Sequence, residues 1–386
     1  MAAKGESYYP AFPPSIKPHI SSGLSFPEAC AHHVTNTFHS SKVYIIVSNS
    51  ISKTENFTRL QDALGHKIVG VRKGIKPHTP WDDIVEIALA NNVSSLDDLA
   101  KLTPEAKTKG LKAPQLPVIN IPTSLSGGEY STIAGGTDTR SNHKALFTHS
   151  DMGADLIILD PSLSISTPER IWLSTGIRAV DHCVEGLCSL FKSDPEADKG
   201  FAKGLELLVP SLLITKNDWN NEDARLKEML GVVESMKGMS VGIPMGGSHG
   251  IGHQLGPLGV GHGETSCIML PAILKYNFKY GDEEVQKPQQ KVLKLLWAEA
   301  PVAELLKKRG LTKEKSDAGD VVGAVISELG MPRTLKDIGV GRDKLDALAE
   351  NCLKDPWLKT NPVPLTKKEQ VLEVLEMVVG DEKSNL

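Results

Sequence analysis

Hydrophobic and polar residues alternate in two ways along the first part of the chain. Four short, β-branched-rich runs predict buried strands: Val43–Val47, Lys67–Val71, Gln115–Ile121 and Ala154–Leu159. Three segments carry apolar residues at helical spacing: Thr54–Leu64, Pro80–Ala90 and Ser95–Leu102. Strands that alternate with helices predict a parallel α/β sheet.

After about Pro161 the pattern changes to helical spacing with few strand signals. Helices are predicted over Thr167–Leu190, Ala202–Leu213, Arg225–Met239 and Lys291–Arg309. The end of the chain, through Lys367–Val379, has the same character. We therefore predict an α/β domain over residues 1–162 and an all-helical domain over residues 163–386.

Composition and charge narrow the range of partners. Of 386 residues, 40% are hydrophobic and 23% charged, as in an ordinary globular protein, and the net charge is −4. With no basic face implied, we expect neither nucleic acid nor an anionic membrane as a partner. No apolar run approaches the roughly 20 residues of a membrane span. The five cysteines form no CxxC pair, which favours a reduced, cytoplasmic setting.

Four of the twelve histidines lie in patterns that can carry chemistry. In SHGIGHQLGPLGVGHG, His249 and His253 are four residues apart and would share one face of a helix, while His262 lies nine residues later in a glycine-rich turn. In TGIRAVDHCVEG, His182 lies one helical turn after Arg178. Imidazoles that converge from several helices suit a divalent metal or a proton relay, although an isolated HxxxH pair is more often purely structural.

These same residues carry a family resemblance. GIRAVDHCVEG followed by HGIGHQLGPLGVGHGETSCIMLPAILKYN resembles the iron-containing alcohol dehydrogenases, closest to their maleylacetate-reductase-like branch. IPTSLSGGE (Ile121–Glu129), the hinge at Asp160–Pro168 and NCLKDPWLKTNP (Asn351–Pro362) are similar to further motifs of that family. The resemblance implies a nucleotide-binding α/β domain joined to a helical catalytic domain, and hydride transfer between a nicotinamide and an alcohol, carbonyl or enone carbon.

Site residues follow from the resemblance, position by position. His182, His249 and His262 match the family's three histidine metal ligands, and His253 matches the histidine that relays protons beside the substrate. The positions that match cofactor contacts are Thr123, Ser126, Lys144 and Asn49. Asn49 stands where many members have an aspartate that repels a 2′-phosphate, so we expect NADP(H) to be tolerated as well as NAD(H).

Arg178 is the first departure from the family pattern. It occupies the position of the aspartate metal ligand, and an arginine keeps its proton and cannot ligate a cation. The maleylacetate reductases also lack that aspartate and are regarded as metal-independent. We therefore expect weak or no binding of Fe²⁺ or Zn²⁺, and we expect Arg178 to act instead on an anionic or strongly polarised substrate.

The second departure is a missing Gly-Gly-Gly-Ser phosphate loop. Where the family carries this loop on a strand–loop–helix unit, WDDIVEI runs directly into ALANN, so about one βα unit is absent. The backbone N–H groups of such a loop hold the pyrophosphate, and their loss predicts poor dinucleotide affinity.

Two other interpretations remain open at this stage. One is a truncated relative that folds but cannot hold a dinucleotide, which cofactor titration would distinguish. The other is a dehydroquinate-synthase-like lyase, which release of phosphate would reveal. For the leading interpretation, a nicotinamide oxidoreductase, we expect a small-molecule substrate and a homodimer.

Overall fold

The computed structural model describes residues 2–74, 95–101, 116–138, 140, 143–149 and 151–380. The chain forms two compact units. The first comprises Met1–Pro122 and Gly128–Leu163, and the second comprises Thr123–Gly127 and Ser164–Leu386.

A four-stranded sheet lies at the centre of the first unit. Its strands are ordered β1 (Ser7–Pro10), β2 (His19–Ser22), β8 (Leu156–Leu159) and β5 (Ile119–Asn120). β2 and β5 flank β8 in parallel, and β1 pairs with β2 antiparallel. All four residues of β8 are buried, which is the pattern of a parallel strand covered on both faces.

A second parallel pair joins β3 (Val43–Val47) to β4 (Ile68–Lys73). The helices α1 (Phe26–Asn36) and α2 (Glu55–Leu64) pack on these strands through a core that includes Phe26, Phe57 and Ile158. The predicted strands, and the helices predicted at 54–64 and 95–102, therefore lie within a few residues of their observed positions. The predicted strand at 115–121 is Ile119–Asn120 within the described residues, and the short helix α3 spans Leu96–Ala100.

The first unit also contains antiparallel elements that the sequence did not predict. β6 (Ile133–Asp138) and β7 (His143–Thr148) pair as an antiparallel hairpin, and β1 pairs antiparallel at the edge of the central sheet. The three parallel pairs confirm the predicted parallel α/β domain. The antiparallel strands were not predicted because β1 and β6 contain serine, proline or glycine and give weak strand signals.

The parallel strands do not form one continuous sheet within the described residues. β3 and β4 pair only with each other, and β5 pairs only with β8. The predicted helix Pro80–Ala90, which adjoins the proposed missing unit, lies outside the described residues. Absence of a βα unit from this domain therefore stays a prediction.

Residues 164–380 of the second unit are all described and contain no strand, which confirms the prediction of a helical C-terminal domain. After α4 (Pro161–Ser164), at the end of the first unit, the helices are α5 (Glu169–Cys188), α6 (Pro195–Asn217), α7 (Glu222–Ser240), α8 (Gly247–Leu255), α9 (His262–Tyr280), α10 (Glu283–Ala298), α11 (Ala300–Lys308), α12 (Ala318–Glu328), α13 (Leu345–Cys352), α14 (Trp357–Thr360) and α15 (Lys368–Met377).

The predicted helix Lys291–Arg309 is in fact two helices. The chain is extended at Glu299, between α10 and α11, with φ −80° and ψ 119°. Pro301 explains the break: it has no N–H to continue the hydrogen bonds of α10, but it fits the first turn of α11, where that N–H is not needed.

Helix α5 forms the centre of the second unit, and every residue from Trp172 to Cys188 is buried. Glycine allows its neighbours to approach closely. A Cβ at Gly186 would lie 2.2 Å from Cζ of Phe201 on α6. The polar side chains between Trp172 and Cys188 are therefore largely enclosed by protein and must find most of their partners there.

None of the helices in the described residues has the length and apolar character that a membrane crossing requires. All five cysteines are unpaired and buried.

Candidate functional site

A charged face of α5 forms one wall of the site. Arg178 precedes Asp181 and His182 by three and four residues, and Glu185 follows them by four and three, so the four residues lie along one side of the helix, and all are buried. Burial of so many ionisable groups is costly unless each one is paired. The pairs that they make define the geometry of the site.

Glu185 caps the N-terminus of α8 from the neighbouring helix. Its Oε2 accepts the backbone N–H of Gly246 at 2.8 Å, and its Oε1 accepts that of Ser248 at 2.7 Å. Gly246, at the N-cap position, has no side chain to do this, and a Cβ there would lie 2.9 Å from Glu185 Oε1. The glycine therefore allows a buried carboxylate to satisfy the first N–H groups of the helix.

The same carboxylate holds the first histidine of the HxxxH pair. His249 Nδ1 lies 2.9 Å from Glu185 Oε2 and 3.3 Å from Asp181 Oδ2. Burial lowers the pKa of His249 well below its usual value, and the charge of Arg178 acts in the same direction. A neutral ring that donates from Nδ1 leaves Nε2 with a lone pair, and this atom has no hydrogen-bond partner in the described part of the chain.

Burial also raises the pKa of both carboxyl groups. The pKa of Glu185 rises to about 7, against the opposing effect of the N–H groups it accepts and of Arg178. For Asp181, the charge of Glu185 adds to burial, while hydrogen bonds from Ser266 and Ser248 oppose them. The Ser248 hydroxyl donates to Asp181 Oδ2 at 2.8 Å.

Arg178 is buried within this group of side chains, with 7% of its surface exposed. Its Nη1 donates to Ser266 Oγ at 3.3 Å and to the carbonyl of His262 at 3.5 Å, both long contacts. Burial lowers the pKa of the guanidinium, and the charges of Asp181 and Glu185 oppose this effect. Even so, an arginine remains charged in a protein, so the site contains a permanent internal cation.

The structure brings the four histidines into one group. The rings of His182 and His249 stack with centroids 4.8 Å apart, and those of His253 and His262 meet edge to face at 6.4 Å. His249 and His253 lie one turn apart on α8. His262, expected in a turn, is the first residue of α9, after the short 3₁₀ helix Gly256–Leu258.

Asp355 and Trp357 complete the site, and sequence analysis gave them no role. Asp355 Oδ2 lies 2.8 Å from His253 Nδ1. The Trp357 ring lies 4.8 Å from that of His253 and 5.7 Å from that of His249. Both residues lie in the motif NCLKDPWLKTNP, which was noted only as a family signature.

The donor set does not fit a divalent metal. Asp181, Glu185 and His249 place ligand atoms within 4.8 Å of one another, and the buried His182 Nδ1 has no hydrogen-bond partner in the described residues. However, both oxygens of Glu185 already accept protein N–H groups, and Asp181 Oδ2 accepts a hydroxyl, so among these carboxylate oxygens Asp181 Oδ1 alone has no partner in the described residues. The Arg178 guanidinium adds positive charge where a dication needs an anionic ligand.

The expected cofactor residues divide between the two units. In the first unit, Asn49 is exposed just beyond the carboxyl end of β3, and a Cβ on Gly74, after β4, would lie 3.2 Å from the Asn49 Cβ. Lys144 belongs to β7, where its backbone pairs with Thr137. The carboxyl ends of parallel strands are the usual ligand edge of such sheets.

Thr123 and Ser126 lie in the segment that belongs to the second unit. The Thr123 carbonyl accepts the Thr167 hydroxyl at 2.7 Å, and the Leu125 N–H donates to Thr175 Oγ1 at 3.0 Å. Ser126 Oγ lies 3.1 Å from Ser124 Oγ. These hydrogen bonds join residues 123–125 to Thr167, just before α5, and to Thr175, within α5.

Comparisons with known proteins show the family of the chain. The model of the C-terminal domain of the Fe-containing alcohol dehydrogenase family matches residues 172–379. The chain is 38% identical to "Dehydrogenase FUM7" of Gibberella moniliformis, with 98% of this chain and 100% of that protein covered. The chain therefore belongs to the Fe-containing alcohol dehydrogenase family, a family of oxidoreductases, as the motifs implied.

Solved structures confirm the fold. Maleylacetate reductase from Rhizobium sp. strain MTP-10005 superposes with a TM-score of 0.71 at 21% identity, over 97% of each chain. Sulfoacetaldehyde reductase from Bifidobacterium kashiwanohense, in complex with NAD⁺, gives a TM-score of 0.75 at 20% identity, over 94% of this chain and 97% of that one. The alignment with FUM7 spans 426 positions, against 386 residues here, so FUM7 contains residues without a counterpart in this chain.

Proposed function

We propose that this chain is a nicotinamide-dependent oxidoreductase that acts on a carbonyl, enone or alcohol carbon of a small polar substrate. Membership in the family supports the reaction class, and the NAD⁺ complex of sulfoacetaldehyde reductase supports the cofactor. The nicotinamide would supply or accept the hydride. The protein must then move a proton at the substrate oxygen.

His253 is the residue that we propose for this proton transfer, and its geometry carries the proposal. Its side chain is 31% exposed, whereas His249 is completely buried. With Nδ1 on Asp355, its Nε2 is the ring nitrogen free to reach a substrate oxygen. In reduction the ring would donate a proton from Nε2, and in oxidation it would accept one there.

The position of Arg178 favours binding of an anionic or strongly polarised substrate and a reaction that needs no metal. A buried guanidinium is a strong partner for a carboxylate or enolate oxygen, and only its Nη1 makes hydrogen bonds within the described residues. We propose that Arg178 serves this purpose at the position where the family pattern has an aspartate ligand. His182, His249 and His262 would then be structural and polar groups of the site.

The cofactor would be held by the residues at the family's contact positions. Asn49 would face the adenosine ribose and would accommodate either NAD(H) or NADP(H). Thr123, Ser126 and Lys144 would contact ribose and phosphate oxygens. The chain lacks the glycine-rich loop, so these contacts would bind a dinucleotide more weakly than a complete set.

His253→Ala tests this proposal. Oxidation of NADH or NADPH is followed with a panel of small ketones, aldehydes and enones, with and without a carboxylate. We expect the substitution to lower kcat by about 10² to 10⁴-fold with a smaller effect on KM, because a general acid acts mainly in the transition state. His66→Ala, at an exposed position of the first unit, is the matched control and should leave kcat unchanged. Equal turnover by His253→Ala and the parent chain would refute the assignment.

A further inference from the structure

We infer that Asp355 is a positioning residue that, together with Trp357, fixes both the tautomer and the orientation of His253. This inference rests on the proposed function, because it concerns the histidine that we assign to proton transfer. It adds a role for the segment Asp355–Pro356–Trp357, which no sequence pattern assigned.

Both oxygens of the Asp355 carboxylate are occupied, so its direction is fixed. Oδ2 lies 2.8 Å from His253 Nδ1, and Oδ1 accepts the backbone N–H of Trp357 at 3.0 Å. Asp355 is 8% exposed, so water competes little for either contact. A carboxylate that only accepts requires the proton of the neutral ring to be on Nδ1, which leaves Nε2 as a free lone pair.

Trp357 fixes the plane of the same ring. Its indole packs against His253 with centroids 4.8 Å apart and an angle of 36°, and it meets His249 at 77°. A hydrogen bond in the ring plane and an aromatic contact at its face together leave the imidazole little freedom to rotate.

The residues that follow Trp357 contact α8 and Met245, which lies just before α8. The Thr360 hydroxyl donates to the Met245 carbonyl at 2.6 Å, and Asn361 Oδ1 accepts the Gly247 N–H at 3.1 Å. A Cβ on Gly250 would lie 2.3 Å from Leu358 Cδ1, so a glycine at this position of α8 allows the close approach. The distance between Asp355 and His253 is therefore set by the packing of two elements rather than by one flexible side chain.

Asp355→Asn is a sharp test because it reverses the hydrogen-bond polarity and preserves the shape. The Trp357 N–H still needs an acceptor, so the amide oxygen should take the place of Oδ1 and the NH₂ group should face His253 Nδ1. The ring must then accept at Nδ1 and carry its proton on Nε2. The substitution thus predicts the opposite tautomer in an otherwise unchanged site.

The experiment uses the full chain labelled with ¹⁵N-histidine, with His253→Ala to assign the resonance. We expect ¹H–¹⁵N spectra at a pH where the ring is neutral to show Nδ1 protonation in the parent chain and Nε2 protonation in Asp355→Asn. We also expect kcat to fall about 10- to 1,000-fold, with KM changed by less than about threefold. Asp343→Asn, at a carboxylate whose side chain is 72% exposed, is the control and should change neither result.

The outcomes separate this inference from the proposed function. If His253→Ala lowers kcat but Asp355→Asn leaves both kcat and the tautomer unchanged, the positioning role is overturned and the proposed function stands. If His253→Ala leaves kcat unchanged, the proposed function fails, while the spectra still report whether Asp355 sets the tautomer.

Discussion

The buried carboxylate of Glu185 joins α5 to the start of α8. It accepts two backbone N–H groups at the start of α8 and contacts His249 Nδ1. Glu185→Gln keeps the size and shape of the side chain but replaces one acceptor oxygen with a donor NH₂. We predict that this single change destabilises the second unit.

The magnitude follows from the contacts of each oxygen. If the amide oxygen takes the place of Oε2, it keeps Gly246 and His249, but NH₂ then opposes the Ser248 N–H, 2.7 Å from Oε1 in the parent chain. The other orientation loses the Gly246 N–H and forces His249 to accept at Nδ1. Either way at least one buried N–H loses its partner, which costs about 1–3 kcal/mol.

Removal of a buried charge acts in the opposite direction and sets the choice of pH. Because burial raises the pKa of Glu185 from 4.5 to about 7, the parent chain bears a cost of about 3 kcal/mol for this charge at pH 8, which would offset the whole loss. At pH 4.5 this cost falls below about 0.5 kcal/mol, and we expect a net loss of about 1–2 kcal/mol.

Urea-induced unfolding at pH 4.5, followed by tryptophan fluorescence, measures the effect. Four of the five tryptophans (Trp172, Trp219, Trp297 and Trp357) lie in the second unit, so the signal reports mainly on it. Glu196→Gln, at an exposed carboxylate on α6, is the matched control and should change the unfolding free energy by less than about 0.5 kcal/mol. A result for Glu185→Gln as small as that of the control would refute the capping argument.

Two further predictions concern charge in the second unit. Arg178→Asp should bind about one equivalent of zinc per chain, measured by metal analysis. It should also lower the affinity for an anionic substrate about 10- to 100-fold, measured through KM. Stoichiometric iron or zinc in the parent chain, purified without added metal, would contradict the reasoning. Burial raises the pKa of Glu228 to about 7 from 4.5 in the unfolded chain. The free energy of unfolding is therefore highest below pH 4.5 and falls as the pH rises through 7, because the buried acid must then ionise. Glu228→Gln should therefore gain about 2–3 kcal/mol relative to the parent chain between pH 5 and 8 in urea melts, and a pH-independent difference would contradict this.

Local patterns in the sequence were enough to locate most elements of the fold. The helix Thr54–Leu64 was observed as Glu55–Leu64, and the strand Ala154–Leu159 as Leu156–Leu159. These segments are governed by their own periodicity and burial. The break at Glu299 could have been found from Pro301, because proline is favoured in the first turn of a new helix.

The site was predictable only where its residues repeat a motif. The four histidines and Arg178 lie in recognisable spacings, so they could be named from the sequence. Glu185 lies in the same motif, but its role as a cap depends on the approach of α8, 61 residues later in the chain. Asp355 is 102 residues from His253, and local spacing does not reveal such a contact.

The charges of the site explain why one substitution changes what the whole site can hold. An aspartate at position 178 beside Asp181 and Glu185 would give a buried group with three carboxyls, which a divalent cation could stabilise. With Arg178, the same group has one fixed positive charge and two acids, so a single proton shared by the acids makes it neutral. The raised pKa values of Asp181 and Glu185 are consistent with retention of that proton. A site that is already neutral gains little from a dication, whereas the guanidinium still favours an anionic oxygen of a substrate.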